Sequence, residues 1–98
     1  NKDLYWQKSP VFHNDLGEFF ENNFVSLTAI AFDCISLSSL CDRDIGRIAH
    51  KEILERDIRI FEDVSLLKIK GDLDTVWCFP LMLSKSDGAP VTMLAALK

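Results

Sequence analysis

The spacing of apolar residues changes from a helical to a strand period within residues 43–62, RDIGRIAHKEILERDIRIFE. In the first part, apolar residues recur three or four positions apart, as on one buried face of a helix: Ile45, Ile48, Ala49 and Ile53. Asp42 can cap this pattern, so we predict a helix from Arg43 to about Leu54. ERD then turns the chain, and IRIFE alternates as a strand does. A helix and a strand this close together favour a fold that mixes α and β structure.

The residues before this segment predict one helix and one strand. Residues 1–13 contain a proline and are predicted to be irregular. A second helical stripe begins after Asn14 and consists of Leu16, Phe19, Phe20 and Phe24. Asp15 and Glu18 are spaced as a capping box for this helix. LTAIAFDCI is rich in residues that favour strands and predicts a buried strand over 27–33.

The last third of the chain predicts two strands joined by a turn. SLLKI suggests a short helical turn, and TVWCFPLML and VTMLAAL read as strands on either side of a turn at Asp87-Gly88. Pro80 requires an edge position or a bulge, because proline has no N–H to donate. The predicted order is α-β-α-β-β-β, an α/β fold with a mixed sheet and flanking helices. We expect residues 1–98 to form a single unit.

Composition excludes two classes of protein. The net charge is −4, and Lys and Arg are scattered among more acids, whereas a nucleic-acid surface shows clustered positive charge. No segment approaches the roughly 20 apolar residues that span a bilayer. The cysteines Cys34, Cys41 and Cys78 are odd in number and lack metal-binding spacing, which favours reduced thiols and a cytoplasmic location.

Two polar residues, His50 and Glu62, lie at positions where a partner is expected. His50 is at the edge of the helical stripe near Gly46, and a glycine within a helix often indicates that another group approaches closely. Glu62 follows Ile58 and Ile60 on one face of its strand, so its carboxylate needs a cation, a donor or a metal. A helical histidine at a core edge is more often a structural residue than a ligand, and a strand-end glutamate is often solvated. Spacing alone leaves these alternatives open.

Three segments, in order along the chain, resemble motifs of a known family: AIAFDCISLSS, AHKEILERDIRIFEDVSLLKI and FPLMLSKSDGAPVTMLAAL. They are similar to the C-terminal half of the cyclase family of metal-dependent hydrolases, which includes bacterial kynurenine formamidases (arylformamidases) and isatin hydrolase. The resemblance covers nearly the whole chain and implies the C-terminal half of a swivelling β/β/α-like domain. The histidine-rich motif of that family, H-x-G-T-H-x-D-x-P-x-H, has no match here, and His13 in FHND does not fit it.

The resemblance implies roles for four residues of this chain. His50 and Glu62 fall on metal-ligand positions of dinuclear family members, and the implied metal is Zn²⁺ or Mn²⁺. Asp33 or Ser36 would orient those ligands, although a strand-end cap is the favoured role for Asp33. An ordinary polar loop is favoured for Ser36, Ser38 and Ser39, and no residue of this chain is assigned a catalytic role. His13 is expected at the surface or at a helix entry.

The implied reaction is hydrolysis of an aryl formamide or a cyclic amide C–N bond by metal-activated water. The partners expected are a small-molecule amide and either a second copy of the chain or the missing N-terminal half, without nucleic acid or membrane. We expect residues 1–98 alone to be inactive. The alternative is a non-catalytic fragment or interaction module that lacks the N-terminal metal-binding motif.

Overall fold

The computed structural model describes residues 2–38 and 41–98 and confirms a mixed α/β chain. The helices are α1 (Lys2–Lys8), α2 (Leu16–Asn23) and α3 (Arg43–Leu54). The strands are β1 (Ala29–Ala31), β2 (Arg59–Phe61), β3 (Leu73–Pro80) and β4 (Val91–Leu97). The chain divides into two compact units, residues 1–67 and residues 68–98. The expectation of a single unit stays a prediction.

Helix α3 has the predicted bounds, but its buried face differs from the predicted one. The Asp42 carboxylate accepts a hydrogen bond from the Ile45 backbone N–H at 3.2 Å, as expected of a cap. The buried residues of α3 are Gly46, Ala49 and Ile53. Ile45 and Ile48 were predicted to be buried but are 39% and 49% exposed. The buried face is therefore centred on Gly46 and Ala49, because the chain before α3 packs against the glycine.

The turn after α3 connects it to a parallel pair of strands. Asp57 adopts a φ of 58°, a conformation that aspartate tolerates, and this confirms the predicted turn. β1 and β2 pair in parallel, with Ile30 opposite Ile60. Backbone hydrogen bonds continue past the strand ends, from Asp63 N–H to the Cys34 carbonyl oxygen at 2.9 Å. Parallel pairing therefore places the segments that follow β1 and β2 side by side.

The core of residues 1–67 lies around the segment that follows β1. Its buried members are Phe32, Cys34, Leu37, Ile53 and Ile58. The Phe12 and Phe32 rings lie 5.2 Å apart at a tilted angle. Cys34 is 7% exposed, so it is packed as a small hydrophobic residue. The strand over 27–33 is thus shorter than predicted, and the burial is strongest after it.

Helix α2 packs against α3 through a glycine and an arginine. A Cβ on Gly17 would lie 2.9 Å from the Glu52 carbonyl oxygen, so the backbones approach closely there. Arg56 donates from Nε to Glu21 at 3.0 Å and from Nη1 to the Glu52 carboxylate at 2.7 Å. Together these contacts tie α2 to the C-terminal end of α3.

Three local predictions were wrong. Residues 2–8 form α1, although an irregular segment was predicted over 1–13. Asp15 is the N-cap of α2, but its side chain makes no capping hydrogen bond because it contacts His13 Nδ1 at 2.7 Å instead. In the segment SLLKI, Leu67 and Lys68 form a turn, and the predicted helical turn is not present.

Residues 68–98 form an antiparallel hairpin. Trp77 lies opposite Leu94, and the register shifts by one residue between Leu73 and Thr75. Pro80 is the last residue of β3, which pairs only with β4 among the described residues, so the proline lies on an edge strand as predicted. The described strands thus form two two-stranded sheets, where one mixed sheet was predicted. Within the described ranges, no helix combines the length and apolar character needed to cross a membrane.

Candidate functional site

The structure brings His50 and Glu62 into direct contact. His50 projects from α3, and Glu62 is the first residue after β2. His50 Nε2 lies 3.0 Å from Glu62 Oε1, and the two side chains are 31% and 34% exposed. The two residues meet because the turn after α3 sends β2 back along the helix. The pair is partly shielded from water but remains open to solvent on one side.

Glu62 Oε1 is held by the loop that follows β1. It accepts a hydrogen bond from Ser36 Oγ at 3.0 Å and another from the Leu37 backbone N–H at 3.1 Å. With His50 Nε2, three groups converge on this one oxygen. Ser36 is therefore placed where it can orient the Glu62 carboxylate. The backbone donor of Leu37 could not be found from residue types, because any residue except proline supplies an N–H there.

The side chain of Asp33 does not join this cluster. Among the described residues, no hydrogen bond connects the Asp33 carboxylate to His50 or to Glu62. Its backbone carbonyl oxygen instead accepts from Tyr5 Oη at 3.5 Å. The structure therefore places Ser36, but not Asp33, in contact with the pair.

The ring orientation of His50 is fixed by its other nitrogen. Nδ1 lies 2.7 Å from the Gly46 carbonyl oxygen, and a carbonyl oxygen can only accept, so Nδ1 carries a hydrogen. In neutral His50, Nε2 then presents a lone pair towards Glu62 Oε1. Two lone pairs at this distance repel each other, so the contact requires a proton on Nε2 or a cation bound to both atoms. The geometry is that of an imidazolium–carboxylate pair or of two neighbouring cation ligands.

The close approach predicted at Gly46 is made by Ser38. A Cβ at position 46 would overlap both the Cβ and the Oγ of Ser38. The glycine thus lets the loop after β1 lie against α3, one turn before His50. This packing holds Ser36 and Leu37 near the Glu62 carboxylate. Ser39, also predicted to be a loop residue, lies outside the described residues.

His50 and Glu62 are the types of ligand that bind divalent cations, but two ligands do not complete a coordination shell. The His50 imidazole donates its Nδ1–H to a carbonyl oxygen, and hydrogen bonds hold the Glu62 carboxylate. Both arrangements are typical of metal ligands in proteins. Within residues 2–38 and 41–98, no group of three or more His, Cys, Asp or Glu side chains could hold a metal. A tetrahedral zinc site needs four ligands, so His50 and Glu62 would supply part of a shell.

Cys34 does not extend the donor set. Burial raises the pKa of its thiol, and the negative charges of Asp33 and Glu62 raise this pKa further. A backbone hydrogen bond lowers the pKa but does not reverse the shift. Among the described residues, this buried thiol also forms no metal-binding group with His50 and Glu62.

The other predicted histidine has a separate role. The side chain of His13 is 83% exposed, and its Nδ1 contacts the Asp15 carboxylate at 2.7 Å at the start of α2. This agrees with the expected surface position at a helix entry.

An open depression of about 500 Å³ runs along α3 beside His50. It is lined by Arg47, His50, Lys51, Leu54 and Glu55. All of these residues belong to the helix or its C-cap, so the depression is a surface groove that leaves one side of His50 accessible.

Comparison with known proteins gives no relatives. No family model matches the chain. No curated protein and no solved structure shows a significant similarity to it either.

Proposed function

We propose that His50 and Glu62 bind a divalent cation, and that this chain is the C-terminal part of a metal-dependent amidohydrolase resembling kynurenine formamidase. The observation that carries the proposal is the 3.0 Å separation between His50 Nε2 and Glu62 Oε1, with the Nδ1 hydrogen donated to Gly46. It supports the proposal because the nitrogen that faces the carboxylate is the one left with a lone pair.

The surroundings of the pair support a ligand role for both side chains. Gly46 fixes the His50 ring, while Ser36 and the Leu37 N–H hold one oxygen of Glu62. A ligand held in this way loses little side-chain freedom when a cation binds. The order of the three motifs that resemble the cyclase family supports the same role.

Each residue would have a limited task in such an enzyme. A bound Zn²⁺ or Mn²⁺ would supply an activated water and polarise the amide carbonyl. His50 would be a neutral ligand through Nε2 and Glu62 an anionic one, and Ser36 would orient the carboxylate. No residue of this chain is proposed to transfer a proton. The remaining metal ligands, and a group that transfers a proton, would come from outside the described residues.

The experiment is metal analysis and amide hydrolysis by the natural protein that contains these residues. We expect it to bind Zn²⁺ or Mn²⁺ and to hydrolyse N-formylkynurenine, with activity lost to a chelator and restored by the metal. His50→Gln and Glu62→Gln should each lower metal affinity at least tenfold. The matched controls are His13→Gln and Glu55→Gln, which alter exposed side chains outside the pair. Activity that is indifferent to the chelator, or unchanged metal content in both variants, would contradict the proposal.

A second candidate is a non-catalytic interaction module. Its support is the large apolar side chains that residues 68–98 expose, among them Trp77, Phe79, Met82 and Leu94. The genomic sequence upstream of Asn1 separates the two candidates. An in-frame histidine-rich motif of the family favours the hydrolase, and a start codon at that position favours the module.

A further inference from the structure

The hairpin of residues 68–98 has one strand edge that is suited to pairing with another chain. β4, with the sequence VTMLAAL, contains no charged residue and pairs on one side with β3 among the described residues. Protein edge strands usually carry a lysine, another inward-pointing charge or a proline that prevents further pairing. β4 carries none of these over its whole length.

The register shows which backbone groups of β4 point away from β3. Leu81 N–H donates to the Pro90 carbonyl at one end of the hairpin, and Lys98 N–H donates to the Asp72 carbonyl at the other. Hydrogen-bonded and non-hydrogen-bonded pairs alternate along an antiparallel ladder. Counting from these two ends through the register places four residues of β4 at non-hydrogen-bonded positions: Val91, Met93, Ala95 and Leu97. Their N–H and C=O groups point to the outer edge.

The outer edge of β3 is less able to pair. Pro80 stands at an outward position, opposite Val91, and has no N–H to donate. The register shift between Leu73 and Thr75 interrupts the other end of the strand, which also carries Asp74. The two edges of one hairpin therefore differ, and β4 presents the regular one.

We propose that β4 pairs antiparallel with β4 of a second copy of this chain, about a two-fold axis at Leu94. This axis places Leu94 opposite its own symmetry mate, Met93 opposite Ala95, and Val91 opposite Leu97, with all seven residues paired. About eight backbone hydrogen bonds form across the axis, because four outward-facing residues of each copy take part. The pairing extends each hairpin into one four-stranded sheet.

A second copy fits this edge because of the charge pattern. A two-fold axis at Leu94 sets residue 94 opposite its own copy and residues 93 and 95 diagonal to theirs, so a charge near the centre of β4 would lie close to the same charge of the partner. β4 has no charge, and self-pairing meets no such repulsion. Leu94 and Trp77 are directly opposite in the hairpin and share one sheet face. Across the axis, this apolar face continues from one copy to the other. The proposal does not depend on metal binding.

Two proline substitutions at one cross-strand pair test the proposal. Val76 and Ala95 lie opposite each other, and both N–H groups point outward, Val76 on the β3 edge and Ala95 on the β4 edge. Neither substitution removes a hydrogen bond within the hairpin, so their effects on the hairpin are matched. Light scattering coupled to gel filtration should show a dimer for the natural chain and for Val76→Pro, and a monomer for Ala95→Pro. A monomeric natural chain, or variants that behave alike, would overturn the proposal.

A charge-swap experiment tests the position of the axis. Leu94→Lys and Leu94→Glu should each give monomers, because residue 94 would face the same charge across the axis. Mixing the two variants should restore a dimer through an opposite-charge pair. A mixture that stays monomeric, or a dimer formed by either variant alone, would rule out an axis at Leu94.

Discussion

Among single residues, Glu62 joins the end of β2 to the loop after β1 and to α3 through one oxygen atom. Its Oε1 contacts Ser36 Oγ, the Leu37 N–H and His50 Nε2, which belong to the loop after β1 and to α3. The Leu37 N–H bond is part-buried, so removing the carboxylate leaves that N–H without its protein acceptor, whereas Ser36 Oγ and His50 Nε2 are open to water. The carboxylate therefore holds the loop after β1 near α3 through the Ser36 and Leu37 donors.

Glu62→Ala should destabilise the chain by about 1–3 kcal/mol, because it removes the acceptor of the part-buried Leu37 N–H and of Ser36 Oγ. The measurement is the free energy of unfolding in urea. The control is Glu55→Ala, since Glu55 is exposed and pairs with Lys51 at 3.6 Å on the surface of α3. The control should change stability by less than about 0.5 kcal/mol. Equal losses in the two variants would show that the contacts of Glu62 have no special weight.

Among the structural elements, α3 positions the site through the loop that packs on it. The apolar spacing and the Asp42 cap determine where the helix begins and ends. The Ser38 side chain then rests against Gly46, and this contact decides which face of the helix is buried. The carbonyl oxygen of the same glycine orients His50. One position in α3 thus serves both the packing of the loop and the orientation of the His50 ring.

Gly46→Ala should cost about 1–3 kcal/mol, because the new methyl group would overlap Ser38. The sign of the effect should reverse in a Ser38→Gly background. Without the serine side chain, alanine no longer overlaps it and gains about 1 kcal/mol of helix propensity over glycine. Urea unfolding of the natural chain, the two single variants and the double variant gives the change in the free energy of unfolding that Gly46→Ala causes in each background. A similar loss in both backgrounds would mean that the Ser38 contact is not the cause.

For the whole molecule, burial divides the cysteines into classes with different reactivity. Cys34 belongs to the core of residues 1–67, Cys41 is exposed, and Cys78 is half-buried in the hairpin. None of them forms a disulfide. Burial raises the pKa of Cys34, so the folded state keeps this thiol protonated to a higher pH than the unfolded state does.

Iodoacetamide should therefore modify Cys41 first and should modify Cys34 only after unfolding, as measured by mass spectrometry of tryptic peptides. Above the ordinary pKa of a thiol, unfolded Cys34 loses its proton while the folded residue keeps it. The contribution of Cys34 to stability is then present at neutral pH and falls as the pH rises. Cys34→Ala should reduce that alkaline loss. Rapid labelling of Cys34 in the folded chain would contradict its burial.

The sequence by itself determined the local structure of two elements of this protein, α3 and β4. Residues 43–54 repeat at the helical period behind a capping aspartate, and residues 91–97 are a short apolar run after a turn, so both elements could be predicted with their bounds. The closeness of His50 and Glu62 was a hypothesis from spacing and resemblance, which the tertiary structure brings to a 3.0 Å contact. Their metal-binding role stays a prediction.

Only the tertiary structure decided which groups surround the pair. The helical period fits Ile45 and Ile48 as well as it fits Ala49, so it could not show that the two isoleucines are exposed. The Leu37 N–H and the Gly46 carbonyl oxygen are backbone atoms that every residue type carries, and no sequence pattern marks them. Local conformation follows from neighbouring residues, whereas burial and hydrogen-bond partners depend on residues that are distant in the chain.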